Sequence, residues 1–124
     1  MIKGIGIDMV EVKRMEHWCD NLKLLQRYFH QDEVAYVTSR GKSASLSLSA
    51  RFAAKEAFGK ALGTGLSNIA LKDIMVYNEK NGKPELKLFG SAQKELEKTG
   101  ANKVHISLSH ERENAIAIVL LEKV

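Results

Sequence analysis

The sequence is poor in cysteine, proline and aromatic residues, and each shortage closes off a class of protein. One cysteine, Cys19, cannot form an internal disulfide, which fits the reducing environment of a cytoplasm. Proline is reduced to Pro84, and no repeat, low-complexity tract or linker interrupts the chain. No stretch reaches the roughly 18 to 20 apolar residues that a membrane span requires. The opening MIKGIGIDMVEV is broken by Asp8 and has no cleavage-type continuation, so it does not read as a signal peptide. Aromatic residues make up 6% of the chain and no arginine-rich run accompanies them, which disfavours a base-stacking surface for single strands.

What remains is an ordinary globular composition. The 124 residues are 44% apolar, enough for one core and one domain spanning residues 1–124. The formal charge of +4 favours anionic partners in general without choosing among phosphate ligands, acidic proteins or nucleic acid.

The pattern along the chain predicts an α+β fold with a mainly antiparallel sheet packed against helices. IKGIGIDMV alternates at period two, with Ile5, Ile7 and Met9 on one face and Gly4, Gly6 and Asp8 on the other. A helix is expected from about Val12 to Cys19. Another is expected over HQDEVAYVTSR, with Asp32 and Glu33 in its first turn and Arg40 in its last. SASLSLS alternates as a strand would, but reads better as the first turns of a helix running through Ala61. DIMVYNEKNGKPELKLFG reads as a hairpin about an Asn81-Gly82 turn. SAQKELEKTG suits a short helix with Ser91 as N-cap and Gly100 just past its end. KVHISLSH and NAIAIVLLE then make a second hairpin around ERE.

The segment RFAAKEAFGKALG raises the functional question. At about 100° per residue, Ala53, Ala54, Ala57, Phe58, Ala61 and Leu62 fill one arc. Phe52, Lys55, Glu56, Gly59 and Lys60 fill the opposite one. That second arc holds an aromatic ring and a mid-helix glycine, which costs roughly 1 kcal/mol against alanine. It can be a solvated face with one Glu56–Lys60 ion pair, or a site where something approaches the backbone at Gly59. Asp8 supports the site: the glycines before it leave space beside its carboxylate, and aspartate is disfavoured in strands. Asp8 with Glu56 suits Mg²⁺, which takes one or two protein carboxylates and fills its octahedron with water and phosphate oxygens. Among the histidines, His17 with Cys19 makes a poor zinc pair, and His105 reads as a surface or interface residue. His110 ends a strand where it could meet a phosphate.

Together these segments resemble the holo-acyl-carrier-protein synthases, the short bacterial type of 4′-phosphopantetheinyl transferase. The likeness is carried by GIGIDMVEVKRM, RFAAKEAFGKALGTGL, NGKP and SLSHERENAIAIVLLE, in that order over nearly the whole chain. The resemblance implies transfer of the phosphopantetheine arm of coenzyme A to a serine of an acyl carrier protein, in fatty acid biosynthesis. Asp8 and Glu56 match the family's Mg²⁺ ligands. Lys60 and His110 match residues near the diphosphate, and Glu56, Lys60 and His110 are the expected catalytic set. Arg51 matches a basic residue at the 3′-phosphate, and Gly82, Lys83 and Pro84 match the turn beside the adenine. Arg14 matches an arginine that faces the acidic carrier. Family members of this type are usually trimers with sites between neighbouring subunits. Many relatives have serine where Gly59 stands, so a hydroxyl contact does not carry over. Two other classes stay open at this point: a non-catalytic module for acidic proteins, and a nucleic-acid-binding domain.

Overall fold

The computed structural model describes all 124 residues. Strand β1 (Ile2–Glu11) runs directly into helix α1 (Val12–Met15), which tightens into a 3₁₀ turn over Glu16–Asp20. Helices α2 (Leu22–Tyr28), α3 (Gln31–Thr38) and α4 (Ala44–Leu62) follow. The chain continues through β2 (Ile74–Asn78), β3 (Pro84–Leu88), α5 (Gly90–Thr99), β4 (Lys103–His110) and β5 (Asn114–Glu122). All strand pairs are antiparallel, in a sheet of order β1-β5-β4 and a separate β2-β3 ribbon. The α+β expectation stands.

Helix α4 is the spine of the molecule and does begin in SASLSLS, despite that segment's strand-like alternation. Its small residues Ala53, Ala54 and Ala57 are fully buried, as are Ala115, Ala117, Val119 and Leu121 on the facing side of β5. Alanine on both surfaces lets helix and sheet approach closely. Closest of all is β1. A Cβ on Gly4 would lie 2.0 Å from the Ala61 carbonyl oxygen, and one on Gly6 would lie 2.1 Å from that of Ala57. The space beside Asp8 is therefore filled by the α4 backbone, not open as the sequence suggested.

Several local expectations are corrected. The first helix ends at Met15 instead of reaching Cys19, and α2, capped by the Asn21 side chain on the Leu24 N–H, had no forecast. Arg40 lies beyond the end of α3 and stacks over the Tyr36 ring at 5.2 Å. The first hairpin closes through residues 79–83 rather than a two-residue turn, with left-handed backbone at Gly82 alone (φ 89°). Ser91 lies inside α5, where its hydroxyl donates to Asp73 and accepts from the Ala70 N–H. Gly100 does end that helix, and the second hairpin forms around Glu111–Glu113 as expected.

The outer face of the β1-β5-β4 sheet has no cover. Ile5, Ile7 and Met9 are about 60% exposed, and Ile116 and Ile118 on β5 are more than a third exposed. The register aligns them in rows: Ile7 faces Ile118, and Ile118 faces Ser107.

Candidate active site

The glycine face of β1 determines where Asp8 goes. Gly4 abuts Ala61 and Gly6 abuts Ala57 and Lys60, so the next residue on that face arrives beside Lys60 and Glu56. The Lys60 ammonium donates to Asp8 Oδ1 at 2.9 Å and to the Ile7 carbonyl at 3.1 Å. The expected Glu56–Lys60 pair along the helix is thus replaced by a tertiary one. Burial pushes the half-buried Glu56 carboxyl above the ordinary range, and the Asp8 charge adds to this against the opposing pull of Lys60 and Arg14. Arg14, exposed on α1, belongs to the same corner.

Asp8 and Glu56 form an oxygen-rich pair whose mutual repulsion a divalent cation would relieve. Lys60 supplies one counter-charge through its contact with Asp8 and leaves Glu56 without a cation in contact. The donor set fits a hard cation held by Asp8 and Glu56.

A second cluster lies on the other side of α4. Arg51 stands about 140° from Glu56 and about 180° from Lys60 around the helix axis. It is 4% exposed, with Nη1 donating to the Ser47 hydroxyl and Nη2 to the Asn78 side chain. Its guanidinium lies over the Tyr36 ring at 4.2 Å, so that ring is shared with Arg40. Burial lowers the Arg51 pKa, while the charges of Glu33 and Tyr36 resist. The Arg51 Nε–H is buried without an acceptor. A cleft of about 320 Å³ opens here, and Arg51, Gly82, Pro84 and His110 all line it. It is a basic cleft suited to an anion beside a flat ring.

Lys83 is not brought into this cleft. Its ammonium pairs with Glu85 at 3.0 Å, which raises its pKa, and it borders a separate groove with His105. Tyr36, Arg40, Ser47 and Asn78 went unnoticed in the sequence, where a helix-surface pattern and a strand end carry no mark of a ligand. The larger cleft, about 510 Å³ between Phe29, His30 and Phe89, shares no residue with either cluster.

Two features of the α4 arc turn out to be structural. Phe52 packs on Trp18 with ring centroids 5.6 Å apart. Gly59 is covered by the following turn: a Cβ there would meet Leu66 at 2.9 Å, and its carbonyl accepts the Gly65 N–H. The side of Gly59 where a Cβ would stand is taken by Leu66 and Gly65. Lys55 is fully buried, not part of a polar face.

Residues 4–119 match the family model of the 4′-phosphopantetheinyl transferase superfamily. The holo-[acyl-carrier-protein] synthase of Treponema denticola is 54% identical over 98% of this chain and 99% of its own length. That of Trichlorobacter lovleyi is 50% identical over 98% of both chains. Among solved structures, the Neisseria meningitidis holo-[acyl-carrier-protein] synthase superposes with a TM-score of 0.88 at 35% identity, covering 99% of this chain and 100% of that one. The Bacillus anthracis enzyme, in complex with coenzyme A (3′,5′-ADP), gives 0.83 at 36% identity, covering 100% and 99%. The chain belongs to the 4′-phosphopantetheinyl transferase superfamily and, within it, to the holo-[acyl-carrier-protein] synthases. It is an enzyme that transfers phosphopantetheine.

Proposed function

We propose that this enzyme transfers the 4′-phosphopantetheine group of coenzyme A to a serine of an apo-acyl carrier protein, with Mg²⁺, in the cytoplasm and in the service of fatty acid biosynthesis. The observation that carries the reading is the Asp8–Glu56–Lys60 corner, assembled by the glycine face of β1 on α4. Asp8 and Glu56 would hold the metal, whose role when bound is to neutralise charge on the diphosphate. The serine oxygen forms a bond to the pantetheine-side phosphorus. The bridging P–O bond breaks, and adenosine 3′,5′-bisphosphate leaves with the electron pair. Glu56, with its raised proton affinity, suits the role of acceptor for the seryl proton. Lys60 would turn from Asp8 to the leaving phosphate and offset its charge. Arg51, Gly82 and Pro84 would take the nucleotide end, His110 the diphosphate. Lys83 reaches that ligand only by leaving Glu85. Arg14 would meet the acidic carrier beside the corner where its serine must enter.

The two clusters occupy opposite edges of the sheet. Asp8 is on edge strand β1, whereas His110 is on edge strand β4 and Arg51 faces away from Lys60. One extended ligand joins both kinds of contact most simply when two copies of the chain abut. The open sheet face offers the association surface, since covering the exposed part of each isoleucine or methionine there contributes about 0.5 to 2 kcal/mol. A homotrimer, with each site between neighbours, is the assembly that suits this arrangement. Incubation with coenzyme A, Mg²⁺ and apo carrier protein tests the activity by intact mass. The carrier gains the phosphopantetheine mass, and an unchanged carrier refutes the assignment.

A further inference from the structure

Glu33 and Lys55 are the most deeply buried charged residues in the chain, 1% and 0% exposed, and no step of the proposed transfer uses them. The Lys55 ammonium has three protons and three acceptors: Glu33 Oε1 at 2.7 Å, the Leu71 carbonyl at 2.9 Å and the Ile74 carbonyl. Glu33 is equally committed. Oε1 also accepts the His30 N–H at 3.0 Å, closing the cap of α3, and Oε2 accepts the Val76 N–H of β2 at 3.0 Å. One ion pair thus binds α3, α4 and the entry and body of β2.

Those three elements furnish one side of the Arg51 cleft, whose other side comes from Gly82, Pro84 of β3 and His110 of β4. Tyr36 stands one turn after Glu33 on α3, and Arg51 one turn before Lys55 on α4. Asn78 stands two residues after Val76 on the same strand, so it shares that residue's face of the ribbon. Asn78 links the group onward, accepting from Arg51 and donating to the Gly82 carbonyl at 3.0 Å. Beyond holding each other, the two residues satisfy four backbone groups of α3, the approach to β2 and β2 itself, so the pair fixes how these elements meet. The metal corner is built differently, by backbone contact of Gly4 and Gly6 with α4, and shares none of these bonds.

We propose that the buried Glu33–Lys55 pair is the positioning device of the Arg51 cleft, setting how tightly the anionic nucleotide end of the substrate is held without entering the transfer. The proposal rests on the reading of that cleft as the nucleotide site. Neither residue touches the cleft; both act through Tyr36, Arg51 and Asn78.

The test compares the wild type with Glu33→Gln and with the paired variant Glu33→Leu, Lys55→Met. A lone Lys55→Met would strand a buried carboxylate and is avoided. The paired variant is expected to raise KM for coenzyme A and weaken binding of adenosine 3′,5′-bisphosphate, each about tenfold, with kcat within about twofold. Glu33→Gln keeps the shape but leaves the buried Lys55 ammonium without its counter-charge, so it is expected to lose at least as much nucleotide affinity as the paired variant, with its fold checked by thermal denaturation. Unchanged nucleotide affinity in a folded variant, or a fall in kcat that matches the fall in kcat/KM, overturns the proposal. A second readout needs no ligand. In NMR spectra of the free protein, the Arg51 Nε–H and Asn78 carboxamide signals should shift or broaden in both variants, while the Ile7 and Asp8 amides keep their places. If the wild type binds no adenosine 3′,5′-bisphosphate, the nucleotide reading fails. The NMR arm then decides positioning alone, and unmoved Arg51 and Asn78 signals refute it.

Discussion

At the scale of single residues, backbone contact is the least forgiving feature. Gly6 meets the Ala57 carbonyl oxygen and the Ala61 nitrogen at distances no Cβ tolerates. Gly6→Ala must push β1 off α4, and chemical denaturation is expected to show a loss of about 3 kcal/mol or more. The same displacement would carry Asp8 away from Lys60. Asp8→Ala and Glu56→Ala act on chemistry instead. Each is expected to abolish transfer while the thermal midpoint stays near that of the wild type, and normal turnover in either removes the metal corner from the mechanism. Cys19 behaves as an inert thiol. Partial burial and the charges of Asp20 and Glu16 raise its pKa, so less of it is thiolate at neutral pH. Its reaction with a disulfide reagent should be slower than that of free cysteine near neutral pH and should accelerate above the ordinary thiol range.

At the scale of elements, the hairpin turn links geometry to ligand. Gly82 alone adopts the left-handed backbone in residues 79–83, and its carbonyl accepts from Asn78. Gly82→Ala strains that turn by about 1 kcal/mol. Calorimetric titration is expected to show weaker binding of adenosine 3′,5′-bisphosphate, with little change in the rate at saturating coenzyme A. On α1, Arg14→Glu should raise KM for the carrier more than KM for coenzyme A; equal losses count against docking. The elements themselves were largely legible. Period-two runs announced β1 and both hairpins, and the alanine-rich arc announced α4. Charges set by distant partners were not. Lys55 and Glu33 carry the spacing of surface residues, and only the meeting of α3, α4 and β2 buries them. Asp8 and Glu56 were legible through their odd settings, a carboxylate after glycines and a charge beside a mid-helix glycine. The mid-helix glycine was no sign of a ligand, since Gly59 serves Leu66 and Gly65.

At the scale of the whole molecule, the two clusters lie on opposite edges of the sheet, and a site shared between copies would need both edges. Asp8→Ala and Arg51→Ala chains should each be inactive alone. Mixed after dissociation and reassembly, they should regain activity, with about one quarter of the interfaces uniting an intact corner and an intact cleft. No recovery on mixing would place both clusters on one ligand within a single chain. Ile7→Glu, on the open face, should lower the mass seen by light scattering and lower transfer with it.

With the cleft at Arg51 on one edge of the sheet and the corner at Asp8 on the other, a site shared between neighbouring copies would make affinity and association two sides of one equilibrium. A ligand spanning both draws subunits together by the same factor with which assembly tightens its own binding. Specific activity then falls on dilution along a curve that excess coenzyme A shifts to lower protein concentration.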